Sequence, residues 1–331
     1  MPIRTAAAAG LAAVAAVALA TVSACSSSSS SGTAASGTAT ATAAANSATA
    51  SSGSNPLSSG AASGTVVVGS ANFPEDEVLA EVYALALEAK GVKVTTKLNI
   101  GSREVYYPQM ENGAITIIPD YNGSLLEDVV DPKSTAKTTT DVDTALAAEL
   151  PSSLEVLNPA PAQDSDSVTV TAATAAKYHL KTIADLKPYA ASMVFGAPPE
   201  FKTRPDGLPG LKANYGLTFK SFDPLGDESG PITLAALTSG KVQAADVFTT
   251  TPQIVTDKLV SLADPKFDFA AQNVIPLIYK ADATPTIVAA LNAVSAKLTT
   301  AALLQMDIAA SVNKEDYTTV AQNWLQSVGL S

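Results

Sequence analysis

The sequence predicts an α/β protein of two lobes, each a mostly parallel sheet flanked by helices, joined by two hinge crossings of the chain. Three observations predict it. A β-α-β-α-β order of elements runs from Thr65 to Pro119. The same grammar starts again at Ser167, without any sequence repeat behind it. A last strand at Val274–Tyr279 and three helices then carry the chain back to the first lobe.

Thr65-Val66-Val67-Val68-Gly69-Ser70 is a β-branched run closed by Gly and Ser, which suits a buried parallel strand. Glu75–Lys90 follows as a helix. Val78, Leu79, Val82, Leu85, Ala86 and Ala89 form one apolar stripe, Tyr83 packs, and Gly91 ends it. VKVTTKL at 92–98 alternates as a second strand. Val105–Asn112 is a short helix in which Tyr106 and Tyr107 face different ways, so at most one reaches a cleft. Ala114–Pro119 is the third strand.

Ligands of such sheets sit beyond the carboxyl ends of the strands. Two segments therefore point at a site: Ser70-Ala71-Asn72-Phe73 and Asp120-Tyr121-Asn122-Gly123-Ser124. The second series has strands at Ser167–Thr171, Met193–Gly196 and Val242–Phe248, with helices at Thr174–Tyr178 and Ile232–Ser239. Asp246 either points into the cleft or caps a neighbouring turn, with the cap preferred, and Thr249-Thr250-Thr251-Pro252 closes the third strand. PPEFKTRPDGLPGL, at 198–211, cannot be a helix interior or a central strand, because proline removes donors and glycine permits φ > 0. It is read as a shaped loop around Arg204. Arg204 either bridges Glu200 or Asp206 to hold its own loop or contacts a ligand, two roles that are compatible if Asp206 orients it, and Phe201 turns into the core. The final helices fall near Pro285–Leu298, Ala301–Ala310 and Lys314–Ser327.

The remaining composition sets the compartment. Residues 1–24 read as an export signal, with Arg4 before the apolar run Ala6–Val22. Val22-Ser23-Ala24-Cys25 resembles a lipobox, so Cys25, the only cysteine, is expected to carry lipid; the alternative is an uncleaved membrane anchor. Both place the rest outside the cytoplasmic membrane. Residues 25–64 are nearly all Ser, Ala, Thr and Gly, a tether with too few large apolar groups to offset chain entropy. About 40 such residues reach roughly 35 Å. The folded part is then divided as 65–169 plus 274–331 in one lobe and 170–273 in the other.

Loss of residues 1–24 takes away Arg4 and no acid, so 20 basic groups become 19 against 31 acids, a charge of −12. That argues against a nucleic-acid partner and is compatible with cationic or zwitterionic solutes, as it is with simple solubility. An enzyme is not expected. His179 is the single histidine and lies in a solvated KYHLK helix end, with neither a Gly-x-Ser-x-Gly elbow nor G-x-x-x-x-G-K-[ST] in the chain. No metal-ligand spacing occurs, and no cofactor is expected.

Five fragments carry a resemblance: VGSANFPEDEVLAEVYALAL, LNIGSREVYYPQME, IPDYNGSLL, PPEFKTRPDGLPGLKANYGLTF and AADVFTTTP, in that order. Together they resemble the substrate-binding proteins of ABC transporters for osmoprotectants, glycine betaine, choline and related quaternary amines. The resemblance spans essentially all of 65–331. It implies a periplasmic-binding-protein-like fold of type II that closes on its solute and docks, as a monomer, on a membrane permease. It further implies that Tyr121 is a wall of an aromatic cage and that Ser124 and Arg204 hold a ligand carboxylate. Phe248 stands where relatives often have a tyrosine. Asn72, Asp120 and Thr249 lie in the segments that face the cleft.

Three departures matter. Ala71 stands where relatives use Lys or Gln, Asp166 stands in place of a cage tyrosine, and Ile232 and Thr233 lie where another cage tyrosine is common. Asp164 or Asp166 favours a ligand with a real positive charge and no carboxylate, such as choline, or one with N–H donors. A bulkier ligand, or a surface interaction lipoprotein on the same fold, is the other reading.

Overall fold

The computed structural model describes residues 64–331. The expected export signal, the lipidated Cys25 and the tether up to residue 63 lie outside the described residues.

The strands are β1 Val66–Gly69, β2 Val94–Lys97, β3 Ile117–Tyr121, β4 Leu154–Val156, β5 Val168–Thr171, β6 Val194–Ala197, β7 Ser221–Pro224, β8 Ala244–Asp246, β9 Leu259–Ser261 and β10 Val274–Tyr279. They form two five-stranded sheets, ordered β2-β1-β3-β10-β4 and β7-β6-β8-β5-β9. The protein is two-lobed α/β, as the alternation of elements implies. Four strands of each sheet run one way. In the first sheet β10 runs against β3 and β4, and in the second β5 runs against β8 and β9. Both reversed strands are the ones the chain enters directly from a crossing. Coming in from the cleft side, at the carboxyl ends of the other strands, such a strand must run backwards.

The crossings lie side by side. Gln163 and Asn273 form an antiparallel bridge between them. The Asp164 N–H donates to the Gln272 carbonyl at 3.2 Å, and the Val274 N–H donates to the Ala162 carbonyl at 3.1 Å. β5 pairs in the second sheet along its length, so the expected boundary at Thr169 falls inside a strand.

Local chemistry explains the elements that carry the site. The first helix is Pro74–Glu88, with Pro74 at its first turn, where no donor is lost. It is not a one-stripe helix as its sequence suggests: Val78 to Ala84 are all buried. The helices Pro285–Ser295 and Tyr317–Val328 cover the side that the sheet does not. The next helix, Arg103–Glu111, tolerates Pro108 on an exposed face. A π-turn at Leu126–Val130 follows β3 and positions Glu127 and Asp128; such turns are frequent at functional sites. The loop at 198–211 is shorter than its composition implies. Pro199–Lys202 is a 3-10 turn, and a helix starts at Leu208 with Pro209 in its first turn.

Candidate functional site

Between the lobes lie two chambers. The inner one holds about 50 Å³ and is walled by residues of both lobes and of the crossings. Its aromatic side is made by three rings. Phe73, at the N-cap of the first helix, has its centroid 6.2 Å from that of Tyr121. From the second lobe, Phe248 meets Phe73 edge-on at 5.3 Å and 68°. Tyr121 ends β3, and its hydroxyl donates to Glu75. Glu75 also accepts from the Thr250 hydroxyl of the second lobe at 2.6 Å. Burial, with Asp307 beside it, pushes the Glu75 carboxyl up. Burial, reinforced by Asp164, brings Asp307 up to about 7.

The polar side is a chain of carboxylates and guanidinium groups. Arg103 donates to Asp120 Oδ1 at 3.1 and 2.8 Å and to Asp128 at 2.6 Å. Tyr106 donates to the other Asp120 oxygen at 2.8 Å. Arg204, from the second lobe, reaches Asp128 at 3.2 Å and donates to Glu104 at 3.1 and 3.2 Å. Burial raises the Glu104 carboxyl, but the Arg204 hydrogen bonds and charge overcome it and hold Glu104 at about 2. Both wall arginines are thus already paired. Asp164, Asp166 and Glu228 complete the wall, so its balance is negative.

Most of the expected residues meet here. Tyr121, Phe248, Arg204, Ser124, Asp166, Asp164 and Asn72 all line the inner chamber, as does Ala71. Ser124 is locked to the second crossing: its N–H donates to Gln272 Oε1 at 3.0 Å, and its hydroxyl accepts from Gln272 Nε2 at 2.7 Å. The side-chain oxygen of Asn72 is buried without a partner, an open acceptor at the wall.

Two expected residues do not reach the wall. Asp120 is 1% exposed and lies beneath Arg103 and Tyr106, which consume its oxygens. Thr249 points outward, its hydroxyl donating to Asp164 at 2.9 Å, and the neighbouring Thr250 takes the inward place.

Other readings are corrected too. Arg204 does not bond Glu200 or Asp206; its partners belong to the opposite lobe. Asp246 caps nothing, since neither carboxyl oxygen has a partner; burial and the adjacent Asp166 push it up. Thr233 lies in the first turn of its helix and donates its hydroxyl to Asp227 at 2.7 Å, and Ile232 is exposed, so neither faces the inner chamber. Phe201 is in the core as expected, stacked on Phe195 at 5.4 Å, and Tyr83, Tyr215 and Trp324 pack as their positions imply. Of the two helix tyrosines, Tyr106 is the one that reaches the chamber.

Among the wall residues, Ser102, Arg103, Gln272 and Glu228 were not singled out from the sequence, while Phe73 lay in a segment expected at the site and Tyr106 was one of two tyrosines of which at most one could reach it. Phe73, Arg103 and Tyr106 lie within the fragments that carry the resemblance, and Gln272 lies two residues before the returning strand. Glu228 sits in Gly226-Asp227-Glu228-Ser229-Gly230, a turn-rich segment before a helix, and that was the one signal for it.

The second, outer chamber of about 630 Å³ shares Phe73, Asp164, Glu228 and Phe248 with the inner one. It is bounded by the helix Pro231–Thr238 and by the turn after Asp307.

Comparison with known proteins agrees with this architecture. Residues 64–327 match the family described as the substrate binding domain of an ABC-type glycine betaine transport system. The chain is 27% identical over 286 residues to the glycine betaine-binding protein YehZ of Escherichia coli K12, covering 81% of this chain and 92% of that protein. It is 25% identical over 235 residues to a glycine-betaine-binding protein of Pseudomonas aeruginosa, covering 66% and 73%. Among solved structures, a glycine betaine/carnitine/choline ABC transporter protein shares the fold at a TM-score of 0.61 with 21% identity, over 80% of this chain and 99% of that one. This chain belongs to the family of substrate-binding domains of ABC-type glycine betaine transport systems.

Proposed function

We propose that the chain is the extracytoplasmic solute receptor of an ABC importer and that it captures a small quaternary amine of the betaine and choline class between its lobes. The observation that carries this is the meeting of Phe73 and Tyr121 from one lobe with Phe248 from the other, beside Asp164 and Asp166. A quaternary ammonium has no N–H to donate. Ring faces attract it electrostatically, by about 2 kcal/mol or more once water is excluded. Only a closed cleft offers all three rings at once, so the ligand stabilises closure. The closed form is then what the permease recognises.

Within the class, a cation without a carboxylate is favoured. Arg103 and Arg204 are both engaged by carboxylates of the chain, and three further acids stand on the wall. A betaine carboxylate has to displace one of these pairings, and choline does not. Ser124 and Asn72 can serve its hydroxyl. The lipobox-like Val22-Ser23-Ala24-Cys25 supports lipid anchoring at Cys25, with the monomeric receptor held near its permease by the tether.

A thermal-shift panel of choline, glycine betaine, carnitine and ectoine tests the assignment. A true ligand at 100 times its Kd adds about 2.7 kcal/mol of stability. Choline is expected to give the larger shift, and a panel in which no quaternary amine moves the melting temperature rejects the ligand class.

A further inference from the structure

Glu228 is a largely buried residue whose carboxyl oxygens stay open to the cleft. It is 8% exposed, and among the described residues nothing donates a hydrogen bond to it; burial and the charges of Arg204, Glu200, Asp166 and Arg103 account for its surroundings. It lines the inner and the outer chamber alike. Its backbone has φ of +43°, and that of Ser229 is +64°, both in the left-handed region that ordinary residues avoid. The turn is fastened to the ring wall, for the Phe248 N–H donates to the Ser229 hydroxyl at 2.9 Å. An open carboxyl on a cavity wall can accept from a donor on a ligand. Here it is held by a strained turn at the threshold between two cavities.

The outer chamber is large beside the inner one, and its walls are mixed. Leu234, Ala235 and Ala310 give apolar surface, while Asp257 and Asp307 give acidic surface. Its inner boundary is the Phe73–Phe248 pair.

Resting on the quaternary-amine reading above, we infer that the ligand site continues past these rings and that Glu228 is a specificity-determining residue. The ligand is an onium cation whose head lies on the rings. Its arm enters the outer chamber, and a hydrogen-bond-donating group on that arm meets the Glu228 carboxylate. The wall arginines cannot supply this contact, because both are paired. A donor on the ligand pairs with Glu228, and the apolar wall covers the methylenes of the arm.

Calorimetric titration of the whole protein with synthetic trimethylammonium probes tests this. Each probe carries an alkyl arm of two, four, six or eight carbons, ending either in an amine or in a methyl group, with tetramethylammonium as the bare head. At the best arm length the amine-ended probe is expected to bind at least about tenfold more tightly than its methyl-ended twin, the scale of one buried charge-assisted contact. Glu228→Gln should reduce that ratio to about threefold or less, and the ratio cancels any general weakening of the head. Equal affinity of the twins at every length overturns the inference using the natural chain alone. An unchanged ratio in Glu228→Gln overturns the assignment to Glu228. If tetramethylammonium or choline binds while the amine end brings no gain, this inference fails and the quaternary-amine reading stands. If no probe binds, both fail.

Discussion

Arg204 of the second lobe donates two hydrogen bonds across the cleft to Glu104 of the first, at 3.1 and 3.2 Å. The same guanidinium reaches the buried Asp128, which Arg103 also holds. The closed cleft is thus latched by one arginine on two carboxylates of different exposure.

The two contacts should differ in weight. Glu104 is 41% exposed at its side chain, so its share is screened by solvent. Asp128 is fully buried, and removing its second arginine leaves charge uncompensated. Glu104→Gln is expected to weaken ligand binding by less than about threefold, and Arg204→Ala by about tenfold or more. Small-angle scattering should show Arg204→Ala as more open without ligand. Equal effects of the two substitutions would contradict the division.

Tyr121 has two jobs that substitution separates. Its ring faces the chamber, and its hydroxyl satisfies Glu75, which also binds Thr250 of the other lobe. Tyr121→Phe keeps the ring and should leave choline affinity within about threefold. It should still cost about 1–3 kcal/mol in denaturant unfolding, because a buried acceptor loses its donor.

The pH dependence of stability follows from burial. Burial pushes Glu228 and Asp307 each up to about 7, and moves Glu75, Asp164 and Asp246 the same way. The folded chain then binds more protons than the unfolded chain between the ordinary carboxylate range and pH 7. The stability these groups contribute is present at the acidic end and is lost as pH rises through 7. Each group gives a slope of up to about 1.4 kcal/mol per pH unit. Glu104 has the opposite sign: Arg204 holds it at about 2, so its share is present above about pH 4.5 and is lost towards pH 2. The melting temperature of the free protein should peak near about pH 5 and fall steadily to pH 8. A melting temperature that rises over that range would contradict the assignment of these groups as buried acids.

Gly123 is packed where no side chain fits. A Cβ there would collide with the Ala271 carbonyl oxygen of the second crossing. Gly123→Ala is expected to destabilise the fold by about 1–3 kcal/mol. Because Ser124 and Gln272 sit at the same contact, ligand affinity should fall with it.

Much of the fold was legible because its strands are short apolar runs with Gly or polar residues at their ends, as in Val66–Gly69 and Val274–Tyr279. Leu154–Val156, Ser221–Pro224 and Leu259–Ser261 were not seen, being three or four residues long and without clear alternation. The helix Leu208–Tyr215 was hidden by a proline and a glycine in its first turn, where both are tolerated. The ring positions Tyr121 and Phe248 could be read from the ends of strands. The partners of Arg204 could not, because Glu104 lies 100 residues away and only closure of the lobes brings the two together. Composition around Glu228 speaks of a turn and nothing more; its meaning comes from its place on the walls of both chambers.

The central claim, a quaternary ammonium held by rings from both lobes, is tested most directly by titrating choline calorimetrically into the natural protein and into Tyr121→Ala. The account predicts saturable binding to the natural chain at one site, and at least about thirtyfold weaker binding to the variant, the scale of one desolvated cation–π contact. Absence of binding by the natural chain, or equal affinity in the two proteins, would contradict it.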